Sequence, residues 1–568
     1  MDFNEQYNLW LNTLKNVDEK SYNEMVSMNE TEKMEAFSLP LEFGTGGLRG
    51  IMGIGPSRMN IYTIERVTQG FAKTIINSGR EKSCAIAYDT RYNSELFAKT
   101  AALVLAANGI KVHLFSRPAP TPFLSYTIRK LSISFGIVIT ASHNPKEYNG
   151  YKAYDYRGVQ LSSDLANETT NNINETEMFT AKKLPMDELK GSELITFHFE
   201  DILEEYLKDL VKQLPNLKLT QNEGKRLRIV YSALHGTGAE PVKAVLNMQG
   251  FPKVSYVQVN PDSNFGGLKT PNPETAVAYE VALKKADEID AHIIFATDPD
   301  ADRIGVQIKT ENGYVALTSN QMAALILDYL ISIKKETGEA YNQNDYVLST
   351  IVSGQQALVI ARENGLCTKE LLTGFKYIGD EAEQLKKLGK KFIFGYEESY
   401  GLLAGDMCRD KDAVGSAALI CEMALYYQLN GTCIYNKLTE LNDKYGYFYE
   451  DVYSLNISPL GFSDKIKSIM GMFRKDVKAI GSFKITSIED YLLQKRDEIE
   501  VDVSEMDELP ISDVLKFYFE DGTWLAVRPS GTEPKIKFYF AVNGKTQDEA
   551  KDKYNAFKKE LDIFLKNL

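Results

Sequence analysis

The segment Ile139-Thr140-Ala141-Ser142-His143-Asn144-Pro145 places a serine and a histidine in a loop directly after the apolar run FGIVI. A serine hydroxyl is a poor nucleophile until its proton is removed or the charge that develops on reaction is stabilised. By itself such a pair is more often ordinary loop hydrogen bonding than catalysis. Asp298-Pro299-Asp300-Ala301-Asp302-Arg303 follows the run HIIFAT and carries three carboxylates at alternate positions. Carboxylates so spaced can converge on one hard cation with oxygen ligands, for which magnesium is the natural choice. The plain alternative is a solvated acidic turn. The pattern also opens like a calcium-binding EF-hand loop, but that loop needs a glycine at its sixth position and a glutamate at its twelfth, and here the chain passes through Gly305-Val306 into another strand-like run.

A third loop, Arg528-Pro529-Ser530-Gly531-Thr532-Glu533-Pro534, offers a guanidinium, two hydroxyls and backbone N–H groups around a glycine, the means by which loops cradle phosphate. A tight turn between two strands is equally compatible with it. His143 has two readings: it orients Ser142 or donates to a phosphoryl group. A metal role would need a second nearby imidazole, and His113, His198, His235 and His292 carry no such signal.

Something must position these loops. CAIAYDTR, FGIVITASHNP, RLRIVYSALHGTG, AHIIFATDPDAD, YVLSTIVSG and KFIFGYEESYG are short β-branched or apolar runs that each lead into a loop rich in Gly, Pro or Asp. Stretches of helical length follow them. SELFAKTAALVLAANG, with Ser94 as its capping candidate and Gly109 as its stop, is one such helix before the next strand, KVHLF. The alternation predicts α/β domains with mostly parallel sheets, whose ligands sit beyond the carboxyl ends of strands. After about Tyr445 the texture changes to FYEDVYSLNIS, GSFKITSIEDYL and VLKFYFEDGTWLAVRPSGTEPKIKFYFAV with a lysine-rich terminal helix, which reads as a separate α+β domain.

Bulk properties set outer bounds. At 568 residues, 43% hydrophobic and 25% charged, the chain is too long for one domain, and three to five of roughly 150 residues each are expected. No apolar run reaches the ~18 residues of a membrane span, and the opening MDFNEQYNLWLNTLK lacks the basic start and apolar core of a signal peptide. A net charge of −13 argues against nucleic-acid or anionic-membrane partners, so the cations that hold an anionic substrate must be gathered locally. Cys84, Cys367, Cys408, Cys421 and Cys433 are odd in number and lack CxxC spacing, which fits a reducing, cytoplasmic location with the thiols as buried packing.

Together with Phe43-Gly44-Thr45-Gly46-Gly47-Leu48-Arg49-Gly50 and Gly395-Tyr396-Glu397-Glu398-Ser399-Tyr400-Gly401, these loops resemble, in order and over almost the entire length, those of the α-D-phosphohexomutase superfamily and within it the phosphoglucomutases. The resemblance implies an α/β four-domain architecture with the active site in a central cleft: three α/β domains with mixed or parallel sheets at 1–205, 206–315 and 316–443, then a smaller α+β domain at 444–568. It implies an isomerase that interconverts glucose 1-phosphate and glucose 6-phosphate through a phosphoserine and a glucose 1,6-bisphosphate intermediate, with phosphomannomutase and phosphopentomutase as alternatives. Ser142 would be the phosphoserine, and Asp298, Asp300 and Asp302 with Ser142 the Mg²⁺ site. Arg49 would be an active-site cation, Arg303 would stand beside the phosphoserine, and Glu397 and Ser399 would hold sugar hydroxyls. Arg528, Ser530, Gly531 and Thr532 would bind phosphate, as Lys376 and Arg409 would by clamping it. Glucose 1,6-bisphosphate is expected as activator, sugar phosphates as partners, and a monomer or weak dimer as the assembly.

An attacking sugar hydroxyl needs a base, and Lys152, ten residues after Ser142, and Lys411 in RDKD are placed to supply one. A lysine surrounded by cations has its pKa lowered toward that task, although either residue serves equally as a phosphate ligand. Two departures stand out. Gly401 occupies a position where the dual-specificity mannose/glucose enzymes carry histidine, which weakens the expectation of mannose use, and DPDAD replaces the commoner DGDGD with every ligand retained.

Overall fold

The runs Ser83–Tyr88 and Phe135–Ile139 are buried at every position, as expected of strands covered on both faces, and they pair in parallel with Cys84 opposite Phe135. They form the centre of a six-stranded sheet whose order is Leu48–Ile51, Tyr148–Asp155, Phe135–Ile139, Ser83–Tyr88, Lys111–Phe115, Ile195–His198. The computed structural model describes residues 3–44, 46–457, 462–475, 477–497, 509–530 and 535–566. The chain divides into two units, Met1–Ser319 with Ile378–Gly395 and Ser399–Gly431, and Asn320–Tyr377 with Tyr396–Glu398 and Thr432–Leu568.

In the first unit, the helices Ile61–Asn77 and Ser94–Ala107 bury Ile64, Phe71, Phe97 and Leu105 in the core of the first sheet. Asn60 starts the first of these helices with a capping box, its side chain accepting from Tyr62 and Thr63 N–H. Ser94 was expected to cap the second, but Asn93 takes that position in the left-handed region (φ 63°), and the Ser94 hydroxyl instead donates to Asp89 at 2.6 Å. The buried carboxylate outcompetes the helix terminus for that donor.

A second sheet of this unit runs Gly313–Leu317, Ile304–Thr310, Ile293–Thr297, Ile229–Ser232, Val254–Val257. Both sheets are mixed, with three of five neighbouring pairs parallel in the first and two of four in the second. Phe135–Ile139 returns antiparallel as Tyr148–Asp155, and Ile293–Thr297 returns antiparallel as Ile304–Thr310. Each connection is a loop too short for the crossover that parallel neighbours require, and these two loops hold the chemistry-bearing residues. Before this core, the helices Phe3–Val17, Glu19–Ser27 and Glu30–Phe37 bury Trp10, Leu14 and Phe37 against Ile54 and Tyr62.

In the second unit, Asp345–Thr350 and Cys367–Leu371 pair in parallel. The change of texture after Tyr445 is an antiparallel sheet in the order Tyr447–Asn456, Lys535–Gly544, Trp524–Pro529, Leu515–Phe519, Phe483–Asp490, Ala479–Ile480. The helix Gln547–Lys566 lays Tyr554, Phe557 and Leu561 onto its core with Phe473, Phe517 and Phe538. None of the described helices is long and apolar enough to cross a membrane. All five cysteines are free, but only Cys84, Cys408 and Cys421 are buried; Cys433 is exposed and Cys367 half-buried, so packing accounts for three of them.

Glu450, on Tyr447–Asn456, presses one carboxylate oxygen against Gly354, where no Cβ would fit, and accepts from Asn320 Nδ2 at 2.6 Å. Burial pushes its carboxyl up to about 7. The folded chain therefore takes up this proton more readily than the unfolded chain, and stability falls as pH rises from the ordinary carboxylate range to about 7. Glu450→Gln should equal the wild type near pH 4 and exceed it by about 1–3 kcal/mol at pH 8. Urea unfolding followed at both pH values, with a gap independent of pH, would remove burial of this charge as the cause.

Candidate active site

The antiparallel pair Thr297↔Ile304 closes the loop that carries Asp298, Asp300 and Asp302. Asp298 Oδ1 accepts from the backbone N–H of Asp302 (3.1 Å) and Arg303 (3.0 Å), which coils the loop and turns the three side chains the same way. All three are buried, and one oxygen from each lies within 4.8 Å of the others. Asp300 Oδ2 accepts from Thr121 Oγ1 (2.8 Å) and Lys152 Nζ (2.9 Å), while Asp302 Oδ2 faces Lys152 at 3.4 Å and Lys411 at 3.3 Å. The other oxygen of Asp300 and of Asp302 is buried with no hydrogen-bond partner among the described residues.

Burial, and then the charges of Asp300 and Asp302, push the Asp298 carboxyl well up. Burial acts in the same sense on Asp302, but Lys411 and Lys152 pull its carboxyl below the usual range. Three crowded carboxylates with orphaned oxygens form an all-oxygen donor set that fits a hard divalent cation. Ala301, one of the departures from DGDGD, has φ 50°, a conformation natural to glycine and costing a side-chain-bearing residue about 1–2 kcal/mol.

Phe135–Ile139 delivers Ser142 to this cluster. Ser142 is buried with φ 50°, and its hydroxyl donates to Asp298 Oδ2 at 2.6 Å and lies 3.2 Å from His143 Nδ1. Burial, then the charges of Arg303 and Arg49, pull the His143 pKa well down, so its imidazole is neutral. Arg49, on Leu48–Ile51, donates to Asn144 Oδ1 at 3.0 Å, and Arg303 donates to Glu274 at 2.8 Å with its Nε 3.9 Å from Asp302. One neutral ring, two guanidiniums and the acidic loop thus surround the Ser142 loop.

Lys152 and Lys411 both arrive, in surroundings opposite to those expected. Rather than other cations, carboxylates dominate: burial pulls the Lys152 pKa down, but Asp300 and Asp302 raise it above the ordinary value. Lys411 stands 3.4 Å from Asp410 as well as beside Asp302. Arg409 corrects a second expectation. It is wholly buried, with Nε 2.6 Å from Glu383, Nη2 on Asp406 and Nη1 on the Cys408 carbonyl at 2.8 Å, so it braces the RDKD segment rather than clamping phosphate.

Residues that sequence reasoning missed lie beneath the serine. Arg91 is buried and donates to the carbonyls of Ser142, Asn144, Pro145 and Tyr148, and Asp89 accepts from Thr140 Oγ1 at 2.7 Å. Their signal was the Asp-Thr-Arg that ends the run CAIAYDTR, which reads only as the close of a strand.

In the second unit, Glu397 ends the strand Lys391–Glu397 and accepts from Gly374 N–H at 2.9 Å. Lys376, second in the helix Phe375–Lys387, holds its ammonium 4.8 Å from the Tyr377 ring. Arg528, opposite Lys537 in the sheet, hydrogen-bonds Tyr539, whose hydroxyl burial and then Glu398 push up. Ser530 N–H donates to Lys535 O at 2.8 Å across the loop tip. Gly531 and Thr532 lie outside the described residues, as does Thr45 of the opening motif. Ser399 follows Glu397 in the turn at 398–400 and belongs to the first unit.

Models of the four phosphoglucomutase/phosphomannomutase domains match in order: the α/β/α domains I, II and III at residues 40–179, 204–312 and 318–441, and the C-terminal domain at 483–556. A phosphoglucomutase of Staphylococcus haemolyticus is 35% identical over 523 residues, covering 91% of this chain and 93% of that protein. One from Staphylococcus aureus is 34% identical over 552 residues, 96% of this chain and 97% of its own. Among solved structures, a phosphoglucomutase/phosphomannomutase family protein of Burkholderia thailandensis has a TM-score of 0.65 at 19% identity, covering 92% of this chain and 97% of that one. The pp63/parafusin phosphoprotein of Paramecium, in its open form, has a TM-score of 0.67 at 19% identity, with 92% and 95% covered. At that identity the two structures speak for the fold. The domain models and the curated relatives carry the stronger conclusion, that this chain belongs to the phosphoglucomutase/phosphomannomutase family.

Proposed function

We propose that the protein is a phosphoglucomutase that interconverts glucose 1-phosphate and glucose 6-phosphate through a phosphoryl group carried on Ser142. The observation that carries this reading is the 2.6 Å hydrogen bond from the Ser142 hydroxyl to Asp298, within a buried acidic cluster suited to a divalent cation. The name phosphoglucomutase, borne by relatives at 33–35% identity over most of the chain, favours glucose over mannose or a pentose.

In the forward half-reaction, a sugar hydroxyl attacks the phosphorus on Ser142. The Ser142 Oγ–P bond breaks as the sugar O–P bond forms, giving glucose 1,6-bisphosphate and the serine oxygen. The sugar's proton is assigned to Lys152 or Lys411. Asp300 and Asp302 hold Lys152 protonated here, so it could accept a proton only once a cation neutralised those carboxylates. The proton returns in the second half-reaction, when the other phosphate moves back to Ser142. Arg49, Arg303 and His143 supply donors to the phosphoryl oxygens as charge shifts between them. Mg²⁺ held by Asp298, Asp300 and Asp302, with an oxygen on Ser142, would withdraw charge from the phosphoryl group. Glu397 and Ser399 are assigned to ring hydroxyls, and Lys376, Arg528, Ser530, Gly531 and Thr532 to the phosphate that is not reacting.

Glucose 1,6-bisphosphate is proposed as activator, because a monophosphate alone cannot load an empty serine. Domain boundaries are set at 1–205, 206–315, 316–443 and 444–568. A reducing, cytoplasmic location fits five free cysteines.

Ser142→Ala should lower turnover in a coupled glucose 6-phosphate assay by at least ~10³-fold while the fold remains. Intact-mass spectrometry of the wild type should show a phosphate adduct that localises to Ser142 and is lost rapidly on adding glucose 1-phosphate. Full activity in the variant would end the phosphoserine mechanism.

Asp300→Ala should reduce kcat on the order of 10²-fold or more, and EDTA should silence the wild type until Mg²⁺ is restored. Titration calorimetry should show Mg²⁺ binding to the wild type and none to Asp300→Ala. Undiminished turnover in chelator would take the metal out of the reaction.

A further inference from the structure

We infer that Asp89, Arg91 and Thr140 are positioning residues for the reaction at Ser142, forming a buried clasp that holds both ends of the Ser142 backbone so that its hydroxyl stays aimed at Asp298. The inference rests on the reading of Ser142 as phosphoryl carrier. Ser142 has φ 50°, a conformation that a side-chain-bearing residue keeps only when its surroundings over-determine it. The clasp provides that determination from two directions.

On the carbonyl side is Arg91, whose side chain is fully buried. Its Nη2 donates to Ser142 O and, at 2.5 Å, to Asn144 O, while Nη1 donates to Pro145 O at 2.8 Å and Tyr148 O at 3.2 Å. One guanidinium thus gathers three carbonyls of the loop and that of Tyr148, the first residue of the strand after it, a use of its planar fork that a lysine cannot copy. On the N–H side, Ser142 N–H donates to Thr140 Oγ1 at 2.8 Å, and that hydroxyl donates onward to Asp89 Oδ2 at 2.7 Å.

The two sides meet at Asp89, which lies 3.2 Å from Arg91 Nε and also takes Ser94 Oγ (2.6 Å) and Arg91 N–H (3.0 Å). The ring of Phe265, 5.0 Å from the guanidinium carbon, backs it from a separate loop. None of these groups is an acid, base or nucleophile of the proposed cycle; what they fix is the direction of one oxygen. Loosening them should therefore slow phosphoryl transfer without weakening the grip on sugar or phosphate, which other residues provide.

The test is Thr140→Val, which keeps the shape of the side chain and cuts the link from Asp89 to Ser142 N–H, paired with Thr140→Ser and Arg91→Lys. With glucose 1-phosphate and bisphosphate, Thr140→Val should lower kcat ~10- to 100-fold, as expected for a small misplacement, with KM within about 2-fold. Hydrogen exchange should speed up in residues 140–149 alone, and Thr140→Ser should restore both readouts. Arg91→Lys should reproduce the Thr140→Val pattern; if it does not fold, the Thr140 pair decides. A Thr140→Val enzyme with wild-type kcat and exchange, or one whose KM rises while kcat holds, overturns the clasp and leaves the phosphoserine reading standing. A wild type without turnover overturns that reading instead, and the exchange measurement then decides the clasp by itself.

Discussion

Three buried carboxylates, one oxygen of each within 4.8 Å of the others, are an unfavourable electrostatic arrangement that the surrounding residues of the first unit must offset. Isolated charges in such a place would neutralise, as the upward push on Asp298 shows. Two lysines from distant parts of the sequence offset part of the crowding, Lys152 from an antiparallel strand and Lys411 from a loop before a helix. The oxygens left unsatisfied mark how much positive charge the protein alone does not supply. A fully compensated cluster would hold a cation weakly; under the proposed function, an under-compensated one would hold it well and pass its field to the phosphoryl group on Ser142.

Backbone dipoles contribute as well. The carbonyl of Asp300 accepts from Thr121 N–H at 2.8 Å, and the carbonyl of Ala301 accepts from Ala413 N–H at 3.2 Å. These are the first residues of the helices Thr121–Lys130 and Ala413–Leu429, so two helix N-termini meet the acidic loop with their partial positive charge. The same bonds fix where both helices begin. Arg409, locked onto Glu383 and Asp406 just upstream, holds the approach to Ala413–Leu429 and with it the position of Lys411.

The sequence was readable wherever chemistry requires particular residue types at fixed spacing. Ser142 and the alternate aspartates stood out because no apolar core explains them, and the strand runs before them were legible because strands buried on both faces are continuous apolar segments. Sheet direction was legible at the acidic loop, since six residues are too few for a crossover and force the next strand to turn back; the alternation of strand and helix runs elsewhere hid it by pointing to parallel pairing. Ser94 misled for a related reason: a serine before an apolar helix is a cap unless a buried carboxylate claims its hydroxyl, and Asp89 is brought there by the sheet. Arg409 was misread because a cation in a polar loop looks the same in sequence whether it meets a substrate phosphate or carboxylates of its own chain. The surroundings of Lys152 depend on contacts across about 150 positions, which local pattern does not contain.

Strain at the site has a corresponding logic. Ser142 and Ala301, on loops from different sheets, both adopt left-handed backbone without being glycine. For Ser142 the side chain is the point of the position, so glycine is not an option. At Ala301 the methyl adds nothing to the metal ligands, and it is accommodated because Gly238 opposite lacks a Cβ, which would come within 3.2 Å of it. The cost of each conformation is offset by hydrogen bonds to the flanking peptides: Arg91 and Thr140 at Ser142, Ala413 and the Asp298 carbonyl at Ala301. Two strained residues held from behind by rigid elements leave their front faces with little freedom. That would be the condition for the proposed phosphoryl transfer, in which the reacting groups must meet in one geometry.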